Sequence, residues 1–138
     1  MLTDIKYFHI IWDWNGTLLD DAWLFVDVMN EILHKRNINP ITLSKYREIF
    51  EFPVRNYYHT LGFNLDKESF GEIGSEFINI YKMRRFEANL HSQSLQLLHQ
   101  IQILGINNYI LSAQQQTILD ELTKYYKIKQ KCIFSASI

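Results

Sequence analysis

The sequence has few of the residues that cross-link, break or anchor a chain. A single cysteine, Cys132, excludes an internal disulfide and favours a reducing compartment. Two prolines and five glycines in 138 residues leave little room for linkers. No apolar run is long enough to span a bilayer, and the amino terminus lacks the pattern of a cleavable signal peptide. We therefore expect a cytoplasmic protein with no membrane partner.

The chain also lacks an excess of charge of either sign. Its 14 basic and 15 acidic residues give a net charge of -1, which offers no reason to expect a nucleic-acid partner. The five histidines show no metal-ligand spacing with the cysteine, so a zinc site is not expected. With 47% hydrophobic residues, the composition is typical of an ordered domain with one core.

One segment near the amino terminus carries most of the chemical information. An apolar run is typical of a buried strand, and it ends at a carboxylate that an Asn-Gly turn and a threonine follow. Such a turn can direct backbone N–H groups at an anion. A carboxylate at a strand tip can attack phosphorus and carry an aspartyl-phosphate. The segment is Ile10-Ile11-Trp12-Asp13-Trp14-Asn15-Gly16-Thr17-Leu18-Leu19-Asp20.

This segment resembles the first signature of the haloacid dehalogenase superfamily, Asp-x-Asp-Gly-Thr-x-x-Asp after an apolar strand. Asp13, Gly16, Thr17 and Asp20 match the signature, and Asn15 departs from it. The resemblance implies that Asp13 is the nucleophile and that Asp13 and Asn15 bind Mg²⁺. It also implies that the position of Asn15 normally holds an aspartate that protonates the leaving group and activates water. The alternative is a strand, an Asx-turn and Asp20 as the N-cap of the next helix.

The middle of the chain shows only helical patterns. Apolar residues recur at helical spacing in four stretches between residues 21 and 88, namely 22–37, 42–50, 54–61 and 66–86. An all-helical insert of this kind is similar to the cap of the phosphoglycolate phosphatase-like branch, in which the cap closes over the site and helps to select the substrate. Arg55 in this insert can pair with an anionic group of a substrate, or it can be an ordinary surface arginine.

The second half of the chain alternates between helices and strands. Helices are predicted at 95–104 and 117–126, and strands at 108–112 and from Cys132. Strands separated by helices form parallel units, and ligands bind at the carboxyl edge of such sheets. The sequence therefore predicts an α/β core, a Rossmann-like parallel sheet, from residues 1–20 and 89–138. The helical insert, 21–88, interrupts that core.

Ser112 is the second candidate for phosphate binding. It ends an apolar strand, so its hydroxyl and the following amides can hold an anion, and it resembles the superfamily's second signature, a strand ending in Ser or Thr. Ser112 with Gln115 also fits a helix capping box. Parallel pairing places Ser112 at the same edge as Asp13. The residues predicted to bind phosphate are Trp14, Gly16, Thr17, Ser112 and Ala113.

The superfamily's third and fourth signatures, a lysine and then a pair of acids, have no counterpart here. No lysine follows Lys131 and no acid follows Glu121, so we expect a fragment or a shortened member whose first strand has an unpaired, association-prone edge. The resemblance implies a Mg²⁺-dependent phosphatase that hydrolyses a small phosphorylated metabolite, with impaired activity in this form. A weakly catalytic phosphate-binding or regulatory module is the alternative, and a purely structural role is a third. The sequence identifies neither the substrate nor the oligomeric state.

Overall fold

A computed structural model describes residues 9–128 and the backbone of residues 132–135. The chain divides into two compact units, Met1–Asp21 with Ala88–Ile138, and Ala22–Glu87. The strands are β1 His9–Trp12, β2 Leu19–Asp20, β3 Asn89–Leu90, β4 Asn107–Ser112 and β5 Cys132–Ser135. The helices are α1 Ala22–Lys35, α2 Leu43–Ile49, α3 Val54–Leu61, α4 Phe70–Arg84, α5 Ser94–Ile103 and α6 Gln116–Tyr125.

The first unit is built on a parallel sheet with strand order β1-β4-β5. Trp12 pairs with Ile110 and Ser112 pairs with Ser135, so the carboxyl ends of the three strands lie together. This confirms the predicted parallel α/β core. Helix α5 packs against β4 and α6 packs against β5. Within the described residues, β1 pairs only with β4 and forms one edge of the sheet.

In the two strands whose side chains the structure describes, β1 and β4, one face is more buried than the other. Along β4, Ile110 and Ser112 point to the buried face, whereas Leu111 is 46% exposed. In β1, Ile11 is 67% exposed. Parallel sheets are normally covered on both faces, so these two side chains leave an apolar surface open to solvent.

A short antiparallel ribbon of β2 and β3 was not expected from the sequence. Leu19 pairs with Leu90, and Asp20 pairs with Asn89. The prediction that Asp20 caps the next helix is wrong, because Asp20 belongs to this ribbon and does not directly precede the helix. Asp21 separates it from the first residue of α1. Two-residue strands carry too little periodicity to be seen in a sequence.

The second unit consists of α1 to α4. Phe25 of α1 and Tyr81 of α4 meet edge to face, with ring centroids 5.1 Å apart. Helix α3 has the predicted bounds because Gly62 adopts a left-handed φ of 101° at its end. Helix α4 starts four residues later than Asp66, the predicted start, because Ser69 and Glu72 form a capping box.

An arginine links α1 to α4 in the second unit. The Arg36 guanidinium donates hydrogen bonds to Glu68 and Glu76 and to the carbonyl of Ile32. The bond to Glu68 is the main cause that raises the pKa of Arg36 above its usual range. The hydrogen bond from Arg36 lowers the pKa of Glu68, and hydrogen bonds from Lys35 and then Arg36 lower the pKa of Glu76. This pairing stabilises the helical packing.

No helix in the described part of the chain combines the length and the apolar character that crossing a membrane would require.

Candidate functional site

The loop between β1 and β2, residues 13–18, presents the carboxylate of Asp13. Asp13 directly follows β1 and is exposed, and the hydroxyl of Thr17 donates to its Oδ2 at 3.2 Å. The amides of Thr17, Leu18 and Leu19 all donate to the carbonyl of Trp14, at 3.1 to 3.2 Å. These bonds close a compact turn. An accessible carboxylate with an adjacent hydroxyl therefore stands at the carboxyl edge of the sheet.

Gly16 is needed for the shape of this loop. Its φ of 74° lies in the left-handed region, which side chains with a Cβ rarely adopt. Its amide donates to Oδ1 of Asp21 at 2.9 Å. The turn predicted from Asn-Gly is therefore present, but a carboxylate from outside the matched signature stabilises it.

The side chain of Asn15 connects three other residues of the site. Its Nδ2 donates to Oδ2 of Asp21 at 2.7 Å and to Oε1 of Gln114 at 3.3 Å. Its Oδ1 accepts from the hydroxyl of Ser112 at 3.3 Å. The carboxamide thus joins the loop after β1 to the loop after β4. The edge shared by Asp13 and Ser112 is held together by side-chain hydrogen bonds.

Sequence analysis missed Asp21 and Gln114. Asp21 is fully buried, and Gln114 is partly buried in the loop after β4. A second acid next to Asp20 was visible in the sequence, but the pattern gave no reason to prefer it over its neighbour. No local signal marks Gln114, because its contact with Asn15 spans 99 positions.

Ser112 has a different local role from the capping box considered above. It is the last residue of β4 and is 3% exposed, and its Oγ accepts from the amide of Gln114 at 3.1 Å. Helix α6 begins only at Gln116, and Gln115 makes no capping bond with its side chain. The capping-box interpretation is wrong, because three residues separate Ser112 from the helix. Ala113 follows it and is exposed.

The floor of the site is aromatic. Trp14 is fully buried, and its ring centroid lies 6.4 Å from that of Tyr126. Burial is the main cause that raises the pKa of Tyr126, and coulombic interactions with Tyr125 and Asp21 add to the effect. The hydroxyl of Tyr126 donates to the carbonyl of Ala88. The indole ring therefore belongs to the core beneath the loop, and only the backbone of Trp14 takes part in the turn.

The predicted metal ligands form a small donor set. In the described parts of the chain, no three His, Cys, Asp or Glu side chains converge as a metal site would require. Mg²⁺, however, usually keeps several waters and binds through one or two carboxylates and the substrate phosphate. The exposed carboxylate of Asp13 fits that mode, whereas Oδ1 of Asn15 already accepts from Ser112. Arg55 is exposed on α3 in the second unit.

The sequence matches a family model, and the fold matches solved structures. The family model described as haloacid dehalogenase-like hydrolase matches residues 10–136. No curated protein matches the sequence significantly.

Three solved structures illustrate the similarity of fold. A haloacid dehalogenase-like family protein from Streptococcus pneumoniae is 18% identical, with a TM-score of 0.80 over 95% of this chain and 62% of its own. A predicted phosphoglycolate phosphatase from Haemophilus somnus is 10% identical, with a TM-score of 0.77 over 96% and 64%. A family hydrolase from Deinococcus radiodurans, with bound phosphate and sodium, is 13% identical, with a TM-score of 0.68 over 97% and 60%. This chain thus spans 60% to 64% of the length of these three proteins.

Proposed function

Because the chain belongs to the haloacid dehalogenase-like hydrolase family, we propose that it transfers a phosphoryl group from a small phosphorylated metabolite to Asp13 and then to water. One observation carries the proposal. The exposed carboxylate of Asp13 follows β1, with the Thr17 hydroxyl 3.2 Å from it. Ser112 ends the neighbouring parallel strand β4 and bonds to the same loop through Asn15. A nucleophile and hydroxyl donors at one sheet edge suit phosphoryl transfer.

The chemistry follows from these groups. An oxygen of Asp13 attacks phosphorus in line with the leaving oxygen and forms an aspartyl-phosphate. The hydroxyls of Thr17 and Ser112 and the amide of Ala113 are the proposed donors to phosphate oxygens, whereas the amide of Gly16, also predicted to bind phosphate, already donates to Asp21. Asp13 and an oxygen of Asn15 would hold Mg²⁺, which would supply positive charge to offset the repulsion between carboxylate and phosphate. Water then attacks the intermediate and restores the carboxylate.

We extend the proposal to the rest of the chain. The four helices of residues 22–87 act as a cap that contributes to substrate selection, with Arg55 as a candidate partner for an anionic group of the substrate. The phosphoglycolate phosphatase-like branch is the nearest functional model, and a cytoplasmic location suits its metabolite substrates. No nucleic acid or membrane is involved.

A second candidate is a weakly catalytic phosphate-binding or regulatory module. The carboxamide of Asn15 favours it, because an amide can neither protonate a leaving group nor take a proton from water. A positioned acid–base group contributes on the order of 10²–10⁴ to a rate. Its loss would slow turnover and leave binding in place.

The nucleophile can be tested with a chromogenic substrate. In a rapid-mixing experiment with p-nitrophenyl phosphate and Mg²⁺, we expect a burst of p-nitrophenol from the 138-residue chain and none from Asp13→Asn. Asp20→Asn is the matched control, because Asp20 is an exposed acid in the β2–β3 ribbon. It should retain the burst. Equal bursts from the wild type and Asp13→Asn would show that another group receives the phosphoryl.

A further inference from the structure

The carboxamide of Asn15 is held in one orientation by a buried carboxylate. Asp21 is 0% exposed, and its Oδ2 lies 2.7 Å from Nδ2 of Asn15. The NH₂ group of Asn15 faces the carboxyl group of Asp21, whose two oxygens accept from Asn15 and from Gly16. Oδ1 of Asn15 then faces the hydroxyl of Ser112, 3.3 Å away. The amide therefore presents no dissociable proton and no basic oxygen for chemistry at Asp13.

Asp21 does not replace the missing acid. Its Oδ1 accepts from the amide of Gly16 at 2.9 Å, and its Oδ2 accepts from Asn15. Complete burial keeps both oxygens away from a substrate bound at the exposed Asp13. Position 15, where the signature that the loop resembles has a carboxylate, holds an amide, and a buried carboxylate lies at position 21 instead. There it shapes the loop without meeting the reacting atoms.

From this arrangement we propose that the site takes acyl phosphates in preference to alkyl phosphates and retains the phosphoryl group on Asp13, with Asp21 as the positioning residue that keeps Asn15 in its inert orientation. The proposal rests on the proposed function, since it needs Asp13 as nucleophile. It goes further by naming the class of donor and by predicting a long-lived covalent state. That state suits a phosphoryl acceptor or sensor better than a rapid phosphatase.

Phosphoryl transfer from an acyl phosphate to Asp13 needs no proton at position 15. An oxygen of Asp13 forms a bond to phosphorus while the bond from phosphorus to the acyl oxygen breaks. The electron pair stays on that oxygen, and a carboxylate leaves that is stable at neutral pH. The product on Asp13 is itself an acyl phosphate. An alkyl phosphate instead needs a proton on its leaving oxygen, and hydrolysis of the aspartyl-phosphate needs a base for water.

Acetyl phosphate is a direct probe of this state. The 138-residue chain is incubated with acetyl phosphate and Mg²⁺, desalted, and followed by intact-mass spectrometry. We expect a mass gain of one phosphoryl group that decays slowly and is absent in Asp13→Asn. Transfer from acetyl phosphate should exceed transfer from glycerol phosphate by on the order of 10²-fold or more. Comparable rates from the two donors would overturn the proposal without any variant.

A set of four proteins separates the roles of Asn15 and Asp21. The exchange variant Asn15→Asp/Asp21→Asn keeps a carboxylate–amide pair but moves the carboxylate to position 15. It should lose the phosphoryl group about 10²-fold faster than the wild type, or more. Asp20→Asn, which changes an exposed acid of the β2–β3 ribbon, adds no base and should lose it at close to the wild-type rate. Asn15→Asp alone places a second carboxylate next to that of Asp21, because Oδ2 of Asp21 lies 2.7 Å from Nδ2 of Asn15. Its gain should be smaller than that of the exchange.

The outcomes distinguish the two proposals. Circular dichroism confirms that each variant is folded before its lifetime is compared. A folded exchange variant with the wild-type lifetime overturns the donor-class inference. If Asn15→Asp alone loses the phosphoryl group as fast as the exchange variant does, Asp21 has no positioning role. A p-nitrophenol burst that depends on Asp13, without any stable phosphorylated mass, overturns the inference and leaves the proposed function intact. Neither burst nor mass gain in the wild type overturns both.

Discussion

Replacing Asp21 with alanine should destabilise the first unit much more than replacing its neighbour Asp20. Asp21 is fully buried and accepts from the amide of Gly16 at 2.9 Å and from Nδ2 of Asn15 at 2.7 Å. Hydrogen bonds to a charged group contribute about 1.5–3 kcal/mol each. Asp20 has an exposed side chain, and its Oδ1 lies 3.9 Å from Nε2 of His91.

The net cost of Asp21→Ala is smaller than the sum of its two bonds. Gly16 is exposed, so in the variant a water molecule can replace Asp21 as the acceptor for the Gly16 amide. Asn15 keeps its 3.3 Å contact with Gln114. Removing a buried charge also recovers part of its desolvation penalty. We therefore expect a loss of about 2 kcal/mol for Asp21→Ala. For Asp20→Ala the loss should stay within about 0.5 kcal/mol, as for most surface substitutions.

Urea unfolding measures this difference. Trp14 lies buried at the base of the loop and reports on it by fluorescence. With a slope of about 1–3 kcal/mol/M for a small protein, the Asp21→Ala midpoint should fall by about 1 M. Hydrogen exchange at the amide of Gly16 should also accelerate in this variant and not in Asp20→Ala. Equal midpoints for the two alanine variants would refute the hydrogen-bond argument.

The open sheet surface and the arginine link between α1 and α4 each allow a further test. By size-exclusion chromatography we expect the chain to self-associate through β1. Ile11→Lys, at a 67% exposed site, should reduce this association, and Ile103→Lys, at a 70% exposed site on α5, should not; a monomeric wild type would contradict the expectation. Arg36→Met should cost about 1–2 kcal/mol in urea unfolding, since it removes two glutamate partners. Lys45→Met, which removes one exposed pair, should cost less than about 0.5 kcal/mol, and a smaller loss from Arg36→Met than from Lys45→Met would be inconsistent with this argument.

The position of Asp13 could be predicted from the sequence because its determinants are local. The apolar run predicted a strand, and the strand ends where Asp13 and the Asn-Gly turn begin. The expected burial of that strand is wrong, because the four residues of β1 are exposed or half-buried. Helix α3 was predicted with its observed bounds for the same kind of reason, since Gly62 terminates it. The parallel sheet followed from the alternation of strands and helices, because a right-handed crossover leaves few other arrangements.

The tertiary structure alone decided which polar groups meet at that edge. Asp20 and Asp21 are the same residue type at adjacent positions, yet one is exposed in a ribbon and the other is buried beneath the loop. Asn15 contacts Ser112 and Gln114 across 97 and 99 positions. Burial and distant hydrogen bonds depend on how whole elements pack, whereas periodicity describes one element at a time. The sequence alone therefore predicted the position of Asp13 after a strand, and the packing of β1 against β4 determined which polar groups meet at that edge.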